Sequence, residues 1–390
     1  MISVEEARAA LLALVSPLDI EQVPLRSAAG RVLARDVTAS RTQPPFAASS
    51  MDGYALRRAE VEADAMFKVV GEAAAGHRFE GALRAGQAVR IFTGAPVPEG
   101  ADFVVIQEDV TRRGDLITLG HEIGDKDNIR PAGGDFKEGD CVKAPLRLRP
   151  ADIALLAAMN IPAVPVTRKP KVAILATGDE LVQPGEAPGP DQIVASNSYG
   201  LAAMLEGLEA EVRLLPIARD RVEAIKQGFS LARGADLVLT IGGASVGDHD
   251  LIAPVAAELG MEQRFYKVAM RPGKPLMAGR LGDAAMIGLP GNPVSAMVCG
   301  TVFVAPLIRK MLGLGTDIQP MRQAPVAMDL PPNGPRAHYM RANLRDGRLY
   351  PAQSQDSSLL SVLATADALL VRPVADPARR AGDTVEYLEI

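Results

Sequence analysis

Tryptophan is absent from this chain of 390 residues, aromatic residues make up only 4% of it, and it has two cysteines and four histidines. Each shortage removes a class of function. Base-stacking platforms for nucleic acid need aromatic rings, and a net charge of −5 gives no bulk attraction to a phosphate backbone. Cys141 and Cys299 stand far apart and in no CxxC pair, which excludes a disulfide framework and a zinc ribbon and fits a reducing compartment. His77, His121, His249 and His338 lack ligand spacing, so a zinc enzyme is excluded too. The most apolar run, VSAMVCGTVFVAPLI from Val294 to Ile308, is broken by Gly300 and Pro306 and is shorter than the roughly 20 residues of a membrane span. The opening MISVEEARAALLALV lacks the basic n-region of a signal peptide, and its Ser3 and Glu6 instead form the capping box of an amphipathic helix. A cytoplasmic protein is expected, in which local charge must hold any anionic ligand.

Hydrophobic residues at 48% and charged residues at 23% are close to soluble averages, and the length predicts roughly two to four domains. The texture changes three times. Residues 1–46 and 142–168 predict a helical and mixed N-terminal module, with one helix at the start and a second over PADIALLAAMN, Pro150 to Asn160, opened by Pro in its first turn. Between them, residues 47–141 hold short runs such as FKVV, AVRIF and DFVVIQED between glycine and proline turns, the pattern of an inserted β domain. Over 169–318, short apolar strands (KVAILAT, EVRLLPI, ADLVLTI, AAMIGL) alternate with helices, which predicts a doubly wound, mostly parallel α/β domain. Residues 319–390 return to short strands and predict a C-terminal β barrel.

In such sheets ligands bind beyond the carboxyl ends of the strands. Four loops there carry chemistry: TGDE with Glu180, ARD with Asp220, GGASVGDHD from Gly242 to Asp250, and LPGNPVS from Leu289 to Ser295. Three deliver a carboxylate, and these converge if their strands are neighbours. The glycine loop spaces Gly242 and Gly247 as a P-loop does, but Asp248 and His249 stand where Lys and Ser or Thr are needed. A plain strand-to-helix turn with Asp250 as N-cap accounts for that loop taken alone. The segment QRFYKVAMRPGKPLMAGR, however, carries Arg264, Lys267, Arg271, Lys274 and Arg280 with no acid, which favours anion binding. Acids and bases together suit a polyanion carried with a divalent cation, since Mg²⁺ takes one or two carboxylates plus phosphate oxygens. In LPGNPVS, Pro290 and Pro293 stiffen the chain around Gly291 and Asn292 before a helix whose first amides can face an anion. SSMDGYA and IFTGAPVPEG are equally turn-rich, and on spacing alone Asp52 and Thr93 read as well as turn residues.

Taken in order, SSMDGYA, IFTGAPVPEGADFVVIQED, IRPAGGDFKEGD, LATGDEL, SNSYGLAAMLEGLEAEV, GGASVGDHD, MRPGKP and LPGNPVS resemble the molybdopterin molybdenumtransferases, the MoeA family, whose relatives include the E domain of gephyrin. The resemblance covers the whole chain and implies a central α/β domain of the molybdopterin-binding type. It implies a homodimer with each active site between the α/β domain of one subunit and the β domain of the other. It also implies insertion of molybdate into adenylylated molybdopterin, with Mg²⁺-dependent release of AMP.

By this resemblance Asp52, Thr93 and Asp135 come from the partner-facing β region, and Glu180, Asp220 and Asp250 form the acidic side, with Glu180 and Asp250 as metal ligands. Lys267, Arg271 and Lys274 hold anionic substrate, and Gly242, Gly243, Ser245, Gly247 and the turn Pro290, Gly291, Asn292, Pro293 line the pocket. Arg341 and Ser361 are candidates for molybdate contact. Contact with a molybdopterin adenylyltransferase is a further implied partnership; nucleic acid and membrane are not expected. The family commonly has Lys where Arg271 stands, which keeps charge but changes hydrogen-bond geometry. Two other readings remain: a non-catalytic scaffold of the same fold, and an adenylyltransferase, against which the additional β domains argue.

Overall fold

The apolar strands between Lys171 and Leu289 assemble into one six-stranded sheet in the order Glu211–Leu214, Lys171–Ala176, Leu237–Ile241, Ala284–Leu289, Met277–Leu281, Glu262–Tyr266. The first four run parallel and the last two are added antiparallel. The structure is a computed structural model that describes residues 1–243, 251–315 and 321–390. Continuous burial of Leu237–Ile241 marks a strand covered on both faces, and two hydrophobic clusters flank the sheet.

The helical stretch from Pro293 to Met311 forms the spine of the larger cluster. Gly300 and Pro306 do not break it. A Pro293–Cys299 helix passes through a π-helical turn, Gly300–Val304, into Ala305–Met311. A Cβ at Gly300 would meet Met204 and Leu201 at 2.6 and 2.7 Å, so glycine here admits close packing of the neighbouring helix Asn197–Glu206. Pro306 sits in the first turn after the π segment, where a missing N–H is tolerated. By length and composition this stretch could cross a membrane, but it is 72% buried inside the protein's own core.

Ser3 caps the first helix, Val4–Leu12, through the expected box: its hydroxyl accepts the Glu6 N–H at 3.0 Å and its own N–H donates to Glu6 Oε2 at 2.8 Å. That helix buries Val4, Ala7 and Leu11 in the α/β core, whereas Pro150–Ala158 buries Leu156 in a different cluster with Leu33, Val164 and Val166. The two helices therefore do not share a core. What joins the two ends of the N-terminal region is a four-stranded sheet, Ile20–Pro24, Ala163–Thr167, Val32–Leu33, Leu146–Arg147.

The intervening β region has its own six-stranded sheet and apolar core. Toward the C-terminus, Ala337–Arg345, Ala368–Arg372, Thr384–Glu389 and Arg322–Pro325 pair in turn. Arg348–Pro351 pairs back on Ala337–Arg345, and a bridge from Val326 to Leu349 closes the ring. The short strand Met270–Arg271 pairs with Ala337–Arg345, so the basic segment of the α/β region is hydrogen-bonded to the C-terminal barrel.

Candidate functional site

At the carboxyl ends of the parallel strands lies a cavity of about 710 Å³. It is bounded by the loops after Lys171–Ala176, Leu237–Ile241 and Ala284–Leu289 and by the start of the Asn197–Glu206 helix. Glu180 and Asp220 both line it, because their strands are neighbours in the sheet. Gly242, Gly243, Pro290, Gly291, Asn292 and Pro293 line it as well. Ser245, Gly247, Asp250 and the neighbouring Asp248 lie outside the described residues.

The floor is built from backbone at close range. Gly242 has φ +90°, and a Cβ there would sit 2.7 Å from the Thr177 carbonyl oxygen and 3.3 Å from its hydroxyl. The Asn197 amide donates to the Gly291 carbonyl at 2.7 Å, and Asn292 Nδ2 donates to Ser357 Oγ at 3.2 Å. The Val294 N–H is taken by the Ser357 carbonyl at 3.0 Å. This amide at the start of the helix is therefore committed to the C-terminal barrel.

The basic segment separates into two groups. Arg264 pairs with Glu262 at 3.7 Å, and Arg280 donates to the carbonyls of Leu14 and Asp283. Lys267 lies with its ammonium 5.4 Å from the Tyr266 ring centroid, while Arg271 and Lys274 are exposed, Lys274 directly before Pro275, which lines the cavity. Arg341, fully buried, lies on the strand that pairs with Met270–Arg271. Its Nη2 donates to the carbonyls of Ser354 and Asp356, both at 3.1 Å, and among the described residues Nε and Nη1 have no partner. Burial lowers the Arg341 pKa, the nearby Asp356 raises it, and Arg271 lowers it further. His338, on the same strand, is pushed down to about 4 by burial and by Arg271, Arg341, Arg372 and Arg336, so the imidazole is neutral near pH 7. The Arg341 charge is thus buried and lies close to that of Arg271.

Ser361 is exposed in the short helix Leu360–Ala364 and is not among the residues lining the cavity; Ser358 is. Ser358 donates to Asp356 Oδ1 at 2.8 Å, which connects the cavity to the Arg341 corner. Sequence reasoning missed Ser358, Asn197 and Thr177. The pair Ser357–Ser358 directly before LLSVL, and the SNS at a helix start after a strand, were the available signals.

Asp52, Thr93 and Asp135 are not part of the cavity wall in a single copy of the chain. Asp52 and Thr93 are hydrogen-bonded to each other, and Asp135 is exposed, with its N–H donated to the Gln43 carbonyl. Among the described residues no group of three or more His, Cys, Asp or Glu side chains is placed to hold a metal ion.

The fold and cleft define a multidomain α/β and β protein with an acid-lined cleft beside a cationic corner. Residues 2–160 match the model of the MoeA N-terminal region (domain I and II), residues 173–310 that of a probable molybdopterin binding domain, and residues 323–390 that of the MoeA C-terminal region (domain IV). The chain is 39% identical over 317 residues to the molybdopterin molybdenumtransferase of Haemophilus influenzae, covering 80% of this chain and 78% of that one. It is 36% identical over 411 residues to that of Nostoc sp., covering 100% and 94%. The crystal structure of the molybdopterin biosynthesis MoeA protein from Pyrococcus horikoshii OT3 superposes with a TM-score of 0.85 at 29% identity over 100% of both chains. The chain belongs to the MoeA family of molybdopterin molybdenumtransferases, transferases of molybdenum cofactor biosynthesis.

Proposed function

We propose that the protein inserts molybdate into the dithiolene of adenylylated molybdopterin, with Mg²⁺-dependent cleavage of the phosphoanhydride and release of AMP. The observation that carries this reading is the adjacency of two oppositely charged walls. Glu180 and Asp220 line the cleft with Ser358, and Ser358 is hydrogen-bonded to Asp356, whose carbonyl accepts from the buried Arg341, with the charge of Arg271 close to that of Arg341. A volume of about 710 Å³ is in the range of small-molecule sites.

Molybdate is a tetrahedral dianion, suited to guanidinium donors such as that of Arg341. Lys267, Arg271 and Lys274 hold the anionic substrate at the rim, and the Gly242–Gly243 turn and Gly291 leave room for its phosphates. A cation that arrives with phosphate needs only one or two protein carboxylates, for which the sequence implies Glu180 and Asp250, with Asp220 completing the acidic side. Bound there, Mg²⁺ would neutralise charge on the bridging phosphates.

A second copy of the chain completes this site by presenting Asp52 and Thr93. Met51 beside Asp52 is 42% exposed, and Ile193 and Val194, which line the cleft, are 60 and 42% exposed, a set of apolar side chains that a partner would cover.

Purified protein given adenylylated molybdopterin, molybdate and Mg²⁺ is expected to release AMP, and Glu180→Gln or Asp220→Asn to slow release about 100-fold. Undiminished release by both variants would remove the acidic wall from the mechanism, and no release by the wild type would remove the activity. Mixing Glu180→Gln with Asp52→Asn protein tests the shared site: re-equilibrated dimers regain roughly a quarter of wild-type activity if each site draws on two copies, and none otherwise.

A further inference from the structure

Glu180 is an exposed acid on a turn, with no helix or long strand to fix its direction. Lys171–Ala176 ends four residues before it, and Leu181–Val182 is only two residues long. Its carboxylate nonetheless folds back over the Gly178 α-carbon so closely that a Cβ at Gly178 would overlap it. The source of this order lies in the neighbouring loop. Arg219, between Ala218 and Asp220, points one guanidinium nitrogen into the curl of the turn. Nη1 donates to the carbonyls of Gly178 at 3.4 Å, Asp179 at 2.9 Å and Leu181 at 3.1 Å. These carbonyls flank Glu180 on both sides, and three oxygens directed at one point repel each other unless a cation sits there.

The two loops are braced at two further places. The Asp220 N–H donates to Asp179 Oδ1 at 3.3 Å, and the Gly178 N–H donates to the Ala218 carbonyl at 3.1 Å. Arg219 thus connects the backbone that carries one cleft acid to the backbone that carries the other.

We propose that Arg219 is a positioning residue for the reaction assigned above: it sets the curvature of the Gly178–Leu181 turn that aims Glu180, in register with Asp220, into the cleft. It rests on that reaction and on the role of Glu180 in it. Arg219 touches backbone and acts through Glu180, so its loss lowers turnover and leaves substrate affinity in place.

The test is a double-variant cycle with Arg219→Met, Glu180→Gln and the two combined, read by single-turnover AMP release and by the dissociation constant of adenylylated molybdopterin. Arg219→Met is expected to slow release about 100-fold, the scale of a misplaced catalytic group, with affinity unchanged. Arg219→Lys, which restores a cation and donors, regains part of the rate. In the Glu180→Gln background the Arg219→Met change adds less than about three-fold, because the two act through one element.

Losses that multiply in the double variant overturn the proposal, as does an affinity loss that accounts for the slow rate and marks Arg219 as a substrate contact. If Glu180→Gln alone releases AMP at the wild-type rate, the reading of Glu180 falls instead. Hydrogen exchange gives a readout that needs no substrate. Amides of 178–182 and 218–220 exchange faster in Arg219→Met while the other strands of the sheet keep their protection, and unchanged exchange in these turns also overturns the proposal.

Discussion

Asp52 Oδ1 accepts two hydrogen bonds from Thr93, one from its backbone N–H and one from its hydroxyl, each at 2.8 Å. The backbone bond, then the hydroxyl bond, hold the Asp52 carboxyl below its ordinary value against a small opposing effect of burial, with Arg90 adding to the same direction. Arg90 is itself fixed, stacked over Tyr54 and Phe92 and donating to the Gly53 carbonyl and Gln107. The MDG turn is a preorganised carboxylate, charged down to lower pH than a free aspartate.

Thr93→Val therefore isolates one donor. The backbone bond survives, the hydroxyl bond goes, and the Asp52 pKa rises toward its ordinary value. If ionised Asp52 is needed, the acidic limb of the AMP-release profile moves to higher pH in Thr93→Val and stays in place in Thr93→Ser. The measurement is the rate against pH on the acid side, and an unmoved limb in the valine variant would detach Asp52 from the reaction.

Gly242→Ala tests the cleft floor. At φ +90° any side chain is strained, and here the methyl would also press on the Thr177 carbonyl. A cost of roughly 1–3 kcal/mol in stability is expected from the strained backbone, visible as a lowered denaturation midpoint. The larger effect should fall on kcat/KM, because the same methyl narrows the approach of substrate phosphates. Loss of stability with full kcat/KM would mean that the floor is structural only.

Much of the α/β region was readable because its signals are local or follow the rules of parallel sheets. KVAILAT, ADLVLTI and AAMIGL form strands where their unbroken apolar texture predicts them, and Glu180 and Asp220 reach one cleft because residues that follow adjacent parallel strands must. What could not be read depended on partners far away in sequence. Arg280 looked like part of an anion-binding strip, but its guanidinium is engaged by the Leu14 carbonyl, 266 residues distant. Arg341 sits in an alternating strand, MRANL, whose pattern does not tell that the arginine points inward, with two nitrogens unpaired among the described residues. Gly300 and Pro306 are ordinary breakers by local preference, overruled by a π turn that tertiary packing supports.

Asp376 anchors the C-terminal barrel. Its carboxylate is 3% exposed and binds Arg372, also 3% exposed, and Arg379. Burial works against its charge, but the hydrogen bonds from Arg379 and Arg372 prevail and hold its pKa below the usual range. A carboxyl depressed in the folded state contributes stability that is complete above its unfolded pKa, about 3.9, and is lost as pH falls through the folded value. Asp376→Asn leaves two arginines uncompensated and is expected to cost about 3 kcal/mol at neutral pH. The gap between variant and wild-type melting temperatures should be constant from about pH 5 to 7 and shrink below about pH 4. A constant gap down to low pH would mean that packing, not charge, sets the cost.

Arg341 gives the sharpest test of the cationic corner, because binding and stability are expected to move apart. Among the described residues its buried guanidinium has two nitrogens without a partner, a cost that a bound dianion would relieve. Wild-type protein should therefore melt at a higher temperature as molybdate is added, by the usual linkage of binding to folding. Arg341→Met removes the buried charge but also two donors to the Ser354 and Asp356 carbonyls, so its stability without ligand changes little. Its melting temperature should no longer respond to molybdate, and AMP release should need far more molybdate to saturate. Sulfate, a dianion of the same shape, separates charge from chemistry: it should stabilise the wild type without supporting cofactor formation. A molybdate response that persists in Arg341→Met would place the oxyanion elsewhere in the cleft.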